Sequence, residues 1–221
     1  MKNLKQYISE KLKITKDNIG YDYKYFPKTR EELDKIISQL IEERGNNADL
    51  NDVDVSKIDD FNCLFSVRNF YWFKYDKRHN FTEFNGDISN WDVSNVKSME
   101  NMFYSSDFEG DISNWNVSNV IDMRRMFNDS KFNGDLSNWD VSNVVNMFSM
   151  FNGSKFTGEN GDISNWDVSK VIDMNYIFGG SKFNCDLSKW KLCNNCFDKN
   201  MFENCPLDDH PEKWPQNYNG K

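Results

Sequence analysis

The side chains with the most obvious chemistry are four cysteines near the end of the 221-residue chain, spaced C-x₇-C-x₂-C-x₈-C. They are Cys185, Cys193, Cys196 and Cys205. Zinc would need every sulfur about 2.3 Å from the metal. Cys185 and Cys193, however, bracket a predicted strand that would hold them about 26 Å apart if extended. We therefore predict free thiols of a reducing compartment and no metal site, with a structural zinc and a disulfide as the alternatives.

Catalytic chemistry finds little support in the remaining residues. The two histidines, His79 and His210, lack a carboxylate or cysteine partner at a recognisable spacing. The sequence contains no G-x-S-x-G elbow, Walker loop or H-E-x-x-H motif. A Cys63–His79 pair is the nearest catalytic arrangement, and only coincidence supports it. We expect a protein that is not an enzyme, with no catalytic residues and no cofactor.

The charge balance disfavours two classes of partner. With 27 Lys and Arg against 35 Asp and Glu, the net charge is −8, which opposes general binding to nucleic acid or to anionic membranes. An aromatic content of 15% indicates a folded chain. No run of 18 apolar residues is present, and residues 1–20 lack the apolar core of a signal peptide. The expectation is a cytoplasmic protein, with virion or surface association left open.

A repeat organises most of the chain. Trp91, Trp115, Trp139, Trp166 and Trp190 follow one another at intervals of 24, 24, 27 and 24 residues, the signature of stacked repeats. Degenerate copies flank the best ones, as expected for the ends of a repeat array. We number the copies as repeats 1 to 6, at residues 50–65, 84–103, 108–127, 132–151, 161–178 and 183–202.

Within one copy the apolar residues follow the frame I-x-x-W-x-V-x-x-V-x-x-M-x-x-M-F. The W-x-V step has a period of two and predicts a short strand. The later spacing of three predicts one or two helical turns, and a glycine such as Gly86 marks the return bend. The predicted fold is an α/β repeat: a leucine-rich-repeat-like solenoid with a short parallel β-sheet on one face, short helical turns on the other, and N-terminal helices as a cap.

The best copies, such as FNGDISNWDVSNVKSMENMF at 84–103, resemble the BspA-type leucine-rich repeat, which reads roughly F-N-x-D-I-S-x-W-D-x-S-x-V-x-x-M-x-x-M-F. The resemblance covers about residues 48–205. It implies a curved solenoid with a parallel sheet on its concave side. It also implies a binding or surface-interaction role rather than catalysis.

The flanking segments complete the predicted domain organisation. Residues 1–47 form a helical cap: Leu4 to Leu12 suggest a first amphipathic helix, and Thr29 with Glu32 forms a capping box that opens a second, ending near Gly45. The solenoid occupies 48–205, and 206–221 hold a degraded seventh copy around Trp214 and a tail. A separate docking module is the alternative for the N-terminal helices.

An insertion near 66–83 separates repeats 1 and 2 and concentrates aromatic and basic residues. Such residues are enriched in the hot spots of protein interfaces, although they could also stack on nucleic-acid bases or simply pack on the N-terminal helices. The candidate partner-binding residues here are Arg68, Tyr71, Trp72, Phe73 and Arg78.

A second candidate surface follows from the outward position after each repeat tryptophan. It reads Asp54, Asp92, Asn116, Asp140 and Asp167. We predict that this acidic row, on the concave face, selects a basic or polyamide partner; the alternative is a solvated face. Another row, at Asp49, Asp87, Asp111, Asp135, Asp162 and Asp186, is predicted to form turns.

The function predicted from these features is a non-enzymatic scaffold that binds an unidentified protein through the acidic face, the insertion or both. The alternatives are a structural component of a larger assembly, such as a virion or surface layer, and a surface adhesin. Self-assembly is compatible with either alternative.

Overall fold

The computed structural model describes residues 22–66 and 81–218, and its one α-helix, α1, spans Arg30–Arg44. The predicted N-cap is confirmed, because the Thr29 side chain accepts a hydrogen bond from the Glu32 amide. The predicted end is confirmed as well, since Gly45 follows with φ of 84°, a value that favours glycine. The first predicted helix lies outside the described residues.

Helix α1 packs on repeat 1. Its buried side chains Leu33, Ile37 and Leu40 belong to the same hydrophobic core as the repeats. At its start, the Arg30 guanidinium donates to the Asn62 carbonyl oxygen at 2.7 Å. At its end, Arg44 forms an ion pair with Asp52 at 2.9 Å. Apolar packing and these two arginines therefore hold the helix against the first repeat.

The predicted α/β solenoid with a parallel sheet is wrong. In the described residues the repeats contain neither α-helix nor sheet, and the β-structure consists of isolated parallel bridges such as Ser98–Asp122 and Asp122–Asn146. Beyond α1, the described helices are two short 3₁₀ segments, Pro206–Asp209 and Pro211–Lys213. The W-x-V step is not a strand, and the later part of each repeat is a series of turns.

The reason lies in where consecutive backbone N–H groups donate. In repeat 2, the amides of Asn101 and Phe103 donate to carbonyl oxygens of repeat 3, both at 2.9 Å. The amides of Met102 and Tyr104 instead donate to the carbonyl oxygen three residues earlier in the same repeat, and each closes a turn. A parallel strand would direct both the N–H and the C=O of alternate residues to a neighbour. Because every second amide is used within the repeat, no continuous strand can form.

Recurrent left-handed residues exclude the predicted helical turns. Asn101, Arg125, Ser149 and Tyr176 occupy one position of successive repeats and have φ between 51° and 57°. Such φ values are incompatible with an α-helix. The spacing of three therefore comes from successive four-residue turns, whose first and last side chains both point into the core.

Two sets of aromatic side chains connect the stacked repeats. The indole N–H of Trp139 donates to the Ile112 carbonyl oxygen of the preceding repeat at 3.1 Å, and Trp115 donates to Ile88 in the same way. The rings of Phe103 and Phe127 stack with centroids 5.5 Å apart. The phenylalanine contact recurs from repeat 1 to repeat 6, and the indole bond from Trp91 to Trp190.

The segment after repeat 6 departs from the repeat pattern. Trp214 stacks on Phe202 with centroids 5.7 Å apart, but its indole N–H donates locally, to the Leu207 carbonyl oxygen at 2.8 Å. The Lys213 carbonyl oxygen accepts from the Leu187 amide. The segment thus covers the last repeat without reproducing the contact that defines the other tryptophans.

Trp139→Ala should lower the free energy of unfolding by about 3–5 kcal/mol, because it leaves a cavity in the core and removes the hydrogen bond from the indole to the Ile112 carbonyl oxygen. Trp214→Ala should cost clearly less, since Trp214 is half-buried and bonded only within its own segment. Urea denaturation of both variants measures the difference. Equal losses would contradict the assigned roles of the two indoles.

Candidate interaction surface

The predicted acidic row forms a column of Asx turns. Asp92, Asn116, Asp140 and Asp167 are exposed and Asp54 is half-buried. Each side chain accepts a hydrogen bond from the serine amide two residues on, at 3.0–3.2 Å. One oxygen of each side chain therefore shapes its own turn, while the rest of the group faces solvent. We call these five residues the acidic column.

Hydrogen bonding lowers the pKa of two carboxylates of this column. The side chain and amide of Ser142 hold the pKa of Asp140 below its ordinary value, and Ser169 does the same for the pKa of Asp167. Lys170 lies near both carboxylates and lowers their pKa further, whereas Asp167 opposes the shift at Asp140. Asp140 and Asp167 thus carry negative charge at neutral pH.

The other aspartate row is turn-forming, as predicted. The carboxylate of Asp111 accepts from the Ser113 amide at 2.9 Å, and that of Asp135 accepts from the Ser137 amide at 2.8 Å. The same bond is present at Asp49, Asp87, Asp162 and Asp186. A third series, which the sequence analysis did not identify, is formed by Asp60, Asp122, Asn146 and Asp173.

Asparagine side chains connect the turns beside the acidic column. Asn119 donates from its side-chain amide to the Ser94 carbonyl oxygen of the preceding repeat at 2.8 Å, and Asn143 donates to Ser118 at 2.9 Å. In repeat 5 Lys170 takes this position and donates to the Asn143 side chain at 2.7 Å. These bonds fix the spacing of the acidic column from one repeat to the next.

An exposed apolar column follows on the far side of the same turns. Ile121 and Ile172 are 47% and 49% exposed. Backbone bonds of 2.8 Å join them through half-buried Val145, and Cys196 holds the equivalent position in repeat 6. Phe197, which is 61% exposed, lies one residue further on and pairs with Asp173. The spacing of the buried residues gives no indication of this column. Its only signal is an apolar residue directly after the inner valine of repeats 3, 4 and 5.

The insertion candidates are not tested by the structure. Arg68, Tyr71, Trp72, Phe73 and Arg78 all lie outside the described residues. Their predicted role in partner binding therefore stays a prediction from sequence.

The cysteines are not brought together into one site. None of the five cysteines, all of which lie in the described residues, forms a disulfide in this structure. The Cys185 thiol donates to the Thr157 carbonyl oxygen at 3.5 Å, and Cys205 is buried. Within 22–66 and 81–218, no three His, Cys, Asp or Glu side chains are close enough to share a metal ion.

The geometry defines a stacked-repeat protein whose outward positions form continuous columns. The chain belongs to a family described as Mycoplasma protein of unknown function, DUF285, whose pattern matches residues 75–162 and again 153–217. No curated protein and no solved structure matched the sequence. The family match supports the repeat organisation, and it assigns no activity.

The one α-helix among the described residues is charged along its length. No helix in that part of the chain combines the length and the apolar content needed to cross a membrane.

Asp140→Ala should lower the free energy of unfolding by about 0.5–1.5 kcal/mol, because the Ser142 amide loses its acceptor. Asp140→Asn should lower the free energy of unfolding by only a small fraction of the loss caused by alanine. The asparagine side chain can accept the same hydrogen bond, as Asn116 does in repeat 3. Urea denaturation at neutral pH measures both variants. Equal destabilisation by alanine and asparagine would contradict the Asx-turn role.

Acid should weaken the fold through four aspartates whose pKa is lowered by serine hydrogen bonds: Asp140, Asp162, Asp167 and Asp186. Below the ordinary aspartate pKa of about 3.9, the unfolded chain takes up protons before the folded one does. The stability that these four carboxylates contribute is therefore lost as the pH falls from the ordinary aspartate pKa of the unfolded chain to the lower pKa of the folded chain.

The fourfold Asp→Asn variant provides the comparison, because its turns keep an acceptor that does not titrate. Its free energy of unfolding should fall less between pH 5 and pH 3 than that of the natural chain. Burial raises the pKa of Asp198, which gives the opposite trend, but Asp198 is common to both proteins and cancels in the difference. An equal loss of unfolding free energy in the two proteins between pH 5 and pH 3 would contradict the role of these four carboxylates in acid sensitivity.

Proposed function

We propose that this protein is a non-enzymatic scaffold that binds a partner protein along its stacked repeats. The observation that carries the proposal is the exposed apolar column from Ile121 through Val145 to Ile172. Single exposed apolar residues are normal on protein surfaces, whereas a contiguous exposed apolar patch is typical of an interaction site. Here the backbone bonds between repeats bring such residues into one line.

The acidic column supplies charge beside this apolar line. A single turn of each repeat separates the two columns, as between Asp140 and Val145. A partner segment with apolar side chains flanked by Lys or Arg would complement both columns. The charges would steer association, and apolar burial would supply most of the affinity.

The resemblance to BspA-type repeats supports the same proposal. The resemblance rests mainly on two near-identical copies, FNGDISNWDVSNV at 84–96 and FNGDLSNWDVSNV at 132–144. We assign the chain to the BspA-type group of repeats as part of this proposal. A cytoplasmic location, also part of the proposal, would supply soluble protein partners.

The test compares partner capture by two triple variants. Asp92→Asn, Asp140→Asn and Asp167→Asn together remove three charges from the acidic column while keeping its turns. The matched control removes three charges from the turn-forming row, at Asp111, Asp135 and Asp162. In a quantitative pull-down from the host cell, the first variant should recover at least tenfold less partner, about 1.4 kcal/mol. The control should recover as much as the natural chain.

A third variant tests the apolar column. Ile121→Ser with Ile172→Ser should abolish capture without unfolding the protein, since both side chains are about half exposed. Capture that survives these changes but is lost in Trp72→Ala or Arg78→Ala would contradict the columns and favour the insertion. A large homomultimer in light scattering would contradict the binding role and favour a structural component.

A further inference from the structure

Repeat 6 has lost two of the buried side chains that anchor the other repeats. Val171 and Met174 of repeat 5 are fully buried. The equivalent residues of repeat 6 are Asn195, which is exposed, and Asp198, which is half-buried. Burial raises the pKa of the Asp198 carboxyl. The turn at the start of this stretch therefore lacks the apolar attachment that every complete repeat provides.

The same turn carries two cysteines. Cys193 replaces the serine found at Ser94, Ser118, Ser142 and Ser169, and Cys196 lies where repeat 5 has Ile172. The Cys196 amide donates to the Cys193 carbonyl oxygen at 3.4 Å, so the two residues are the first and fourth of one turn. Both side chains are partly exposed, and the neighbouring Cys193 contributes to the raised pKa of the Cys196 thiol.

This geometry is compatible with a covalent bond. The Cα atoms of the first and fourth residues of a turn lie within about 7 Å, and disulfides join Cα atoms about 4.4–6.8 Å apart. The turn already holds the two residues at this spacing, so closure requires side-chain rotation rather than rearrangement of the backbone. Neither Cys185 nor Cys205 contacts this pair in the described structure.

We propose that Cys193 and Cys196 form a reversible disulfide that closes the turn of repeat 6 in place of its missing apolar anchors. The inference does not depend on the proposed function. It makes the end of the repeat stack sensitive to the thiol–disulfide balance of its surroundings. The oxidant is a small disulfide of the glutathione class.

The reaction proceeds by two exchanges. The Cys193 thiolate attacks one sulfur of the oxidant, the oxidant's S–S bond breaks, and one small thiolate leaves. Cys196 then loses its proton to solvent, attacks the Cys193 sulfur of the mixed disulfide and expels the second small thiolate. Two protein thiols are oxidised and one small disulfide is reduced to two thiols. Burial and the neighbouring Cys193 raise the pKa of Cys196 to about 12, so the second exchange should be the slower and should accelerate with pH.

The experiment incubates the full chain with oxidised and reduced glutathione, quenches with acid and maps the peptides by mass spectrometry. We expect one internal link, Cys193–Cys196, with Cys63, Cys185 and Cys205 still reduced. At equilibrium in the same mixture of oxidised and reduced glutathione, a larger fraction of the folded chain than of the chain in urea should carry this link. An equal or smaller fraction in the folded chain, or stable glutathione adducts without the internal link, would overturn the proposal.

Amide exchange gives an independent readout of the closed turn. The amides of Tyr176 and Phe178 in repeat 5 donate to carbonyl oxygens of repeat 6. After oxidation these two amides should exchange several-fold more slowly. Cys193→Ser is the matched control, because serine is the residue of the other repeats at this position, and its exchange should not respond to oxidant. Unchanged exchange in the oxidised natural chain would contradict a stabilising role for the link.

Discussion

The structure depends on the division of backbone amides between two tasks. In the second half of each repeat, one amide donates to the next repeat and the following one closes a turn within its own repeat, as at Phe127 and Asn128. This division gives both kinds of amide a hydrogen-bond partner, which is the condition for burying the backbone. It also sets the position at which a left-handed residue recurs, and it places equivalent phenylalanines and tryptophans directly over one another.

The stacking of the repeats also determines how the surface residues are arranged. Because each repeat lies in register on the previous one, equivalent outward positions line up in columns, such as the acidic column and the apolar column. The aspartates of the acidic column have two roles. One carboxylate oxygen accepts the hydrogen bond that shapes the turn, and the charge of the group remains exposed on the surface. The apolar column needs no such local role: Ile172 stabilises neither a turn nor the core. Its exposure is therefore the feature that the fold alone does not explain.

The sequence predicted the repeat boundaries, the inward residues, the course of helix α1 and the turn-forming aspartates, because period, capping and Asx chemistry are local. It failed on the backbone. Apolar residues spaced three apart occur both in helices and in successive turns. The left-handed residues, such as Arg125 and Tyr176, are not glycines, so the sequence does not indicate a turn at these positions. The apolar column was missed because a frame-based interpretation assigns the residue after each inner valine to solvent and does not compare it between repeats.

The central claim, that bonds between repeats hold the stack together, is tested most directly by hydrogen exchange of individual amides. Arg125 and Phe127 donate to repeat 4, whereas Met126 and Asn128 donate within their own turn. If stacking holds each turn in place, both sets should exchange with the same free energy, close to that of global unfolding. Rapid exchange of Arg125 and Phe127 beside protected Met126 and Asn128 would contradict the account, because the turns would then be stable without their neighbours.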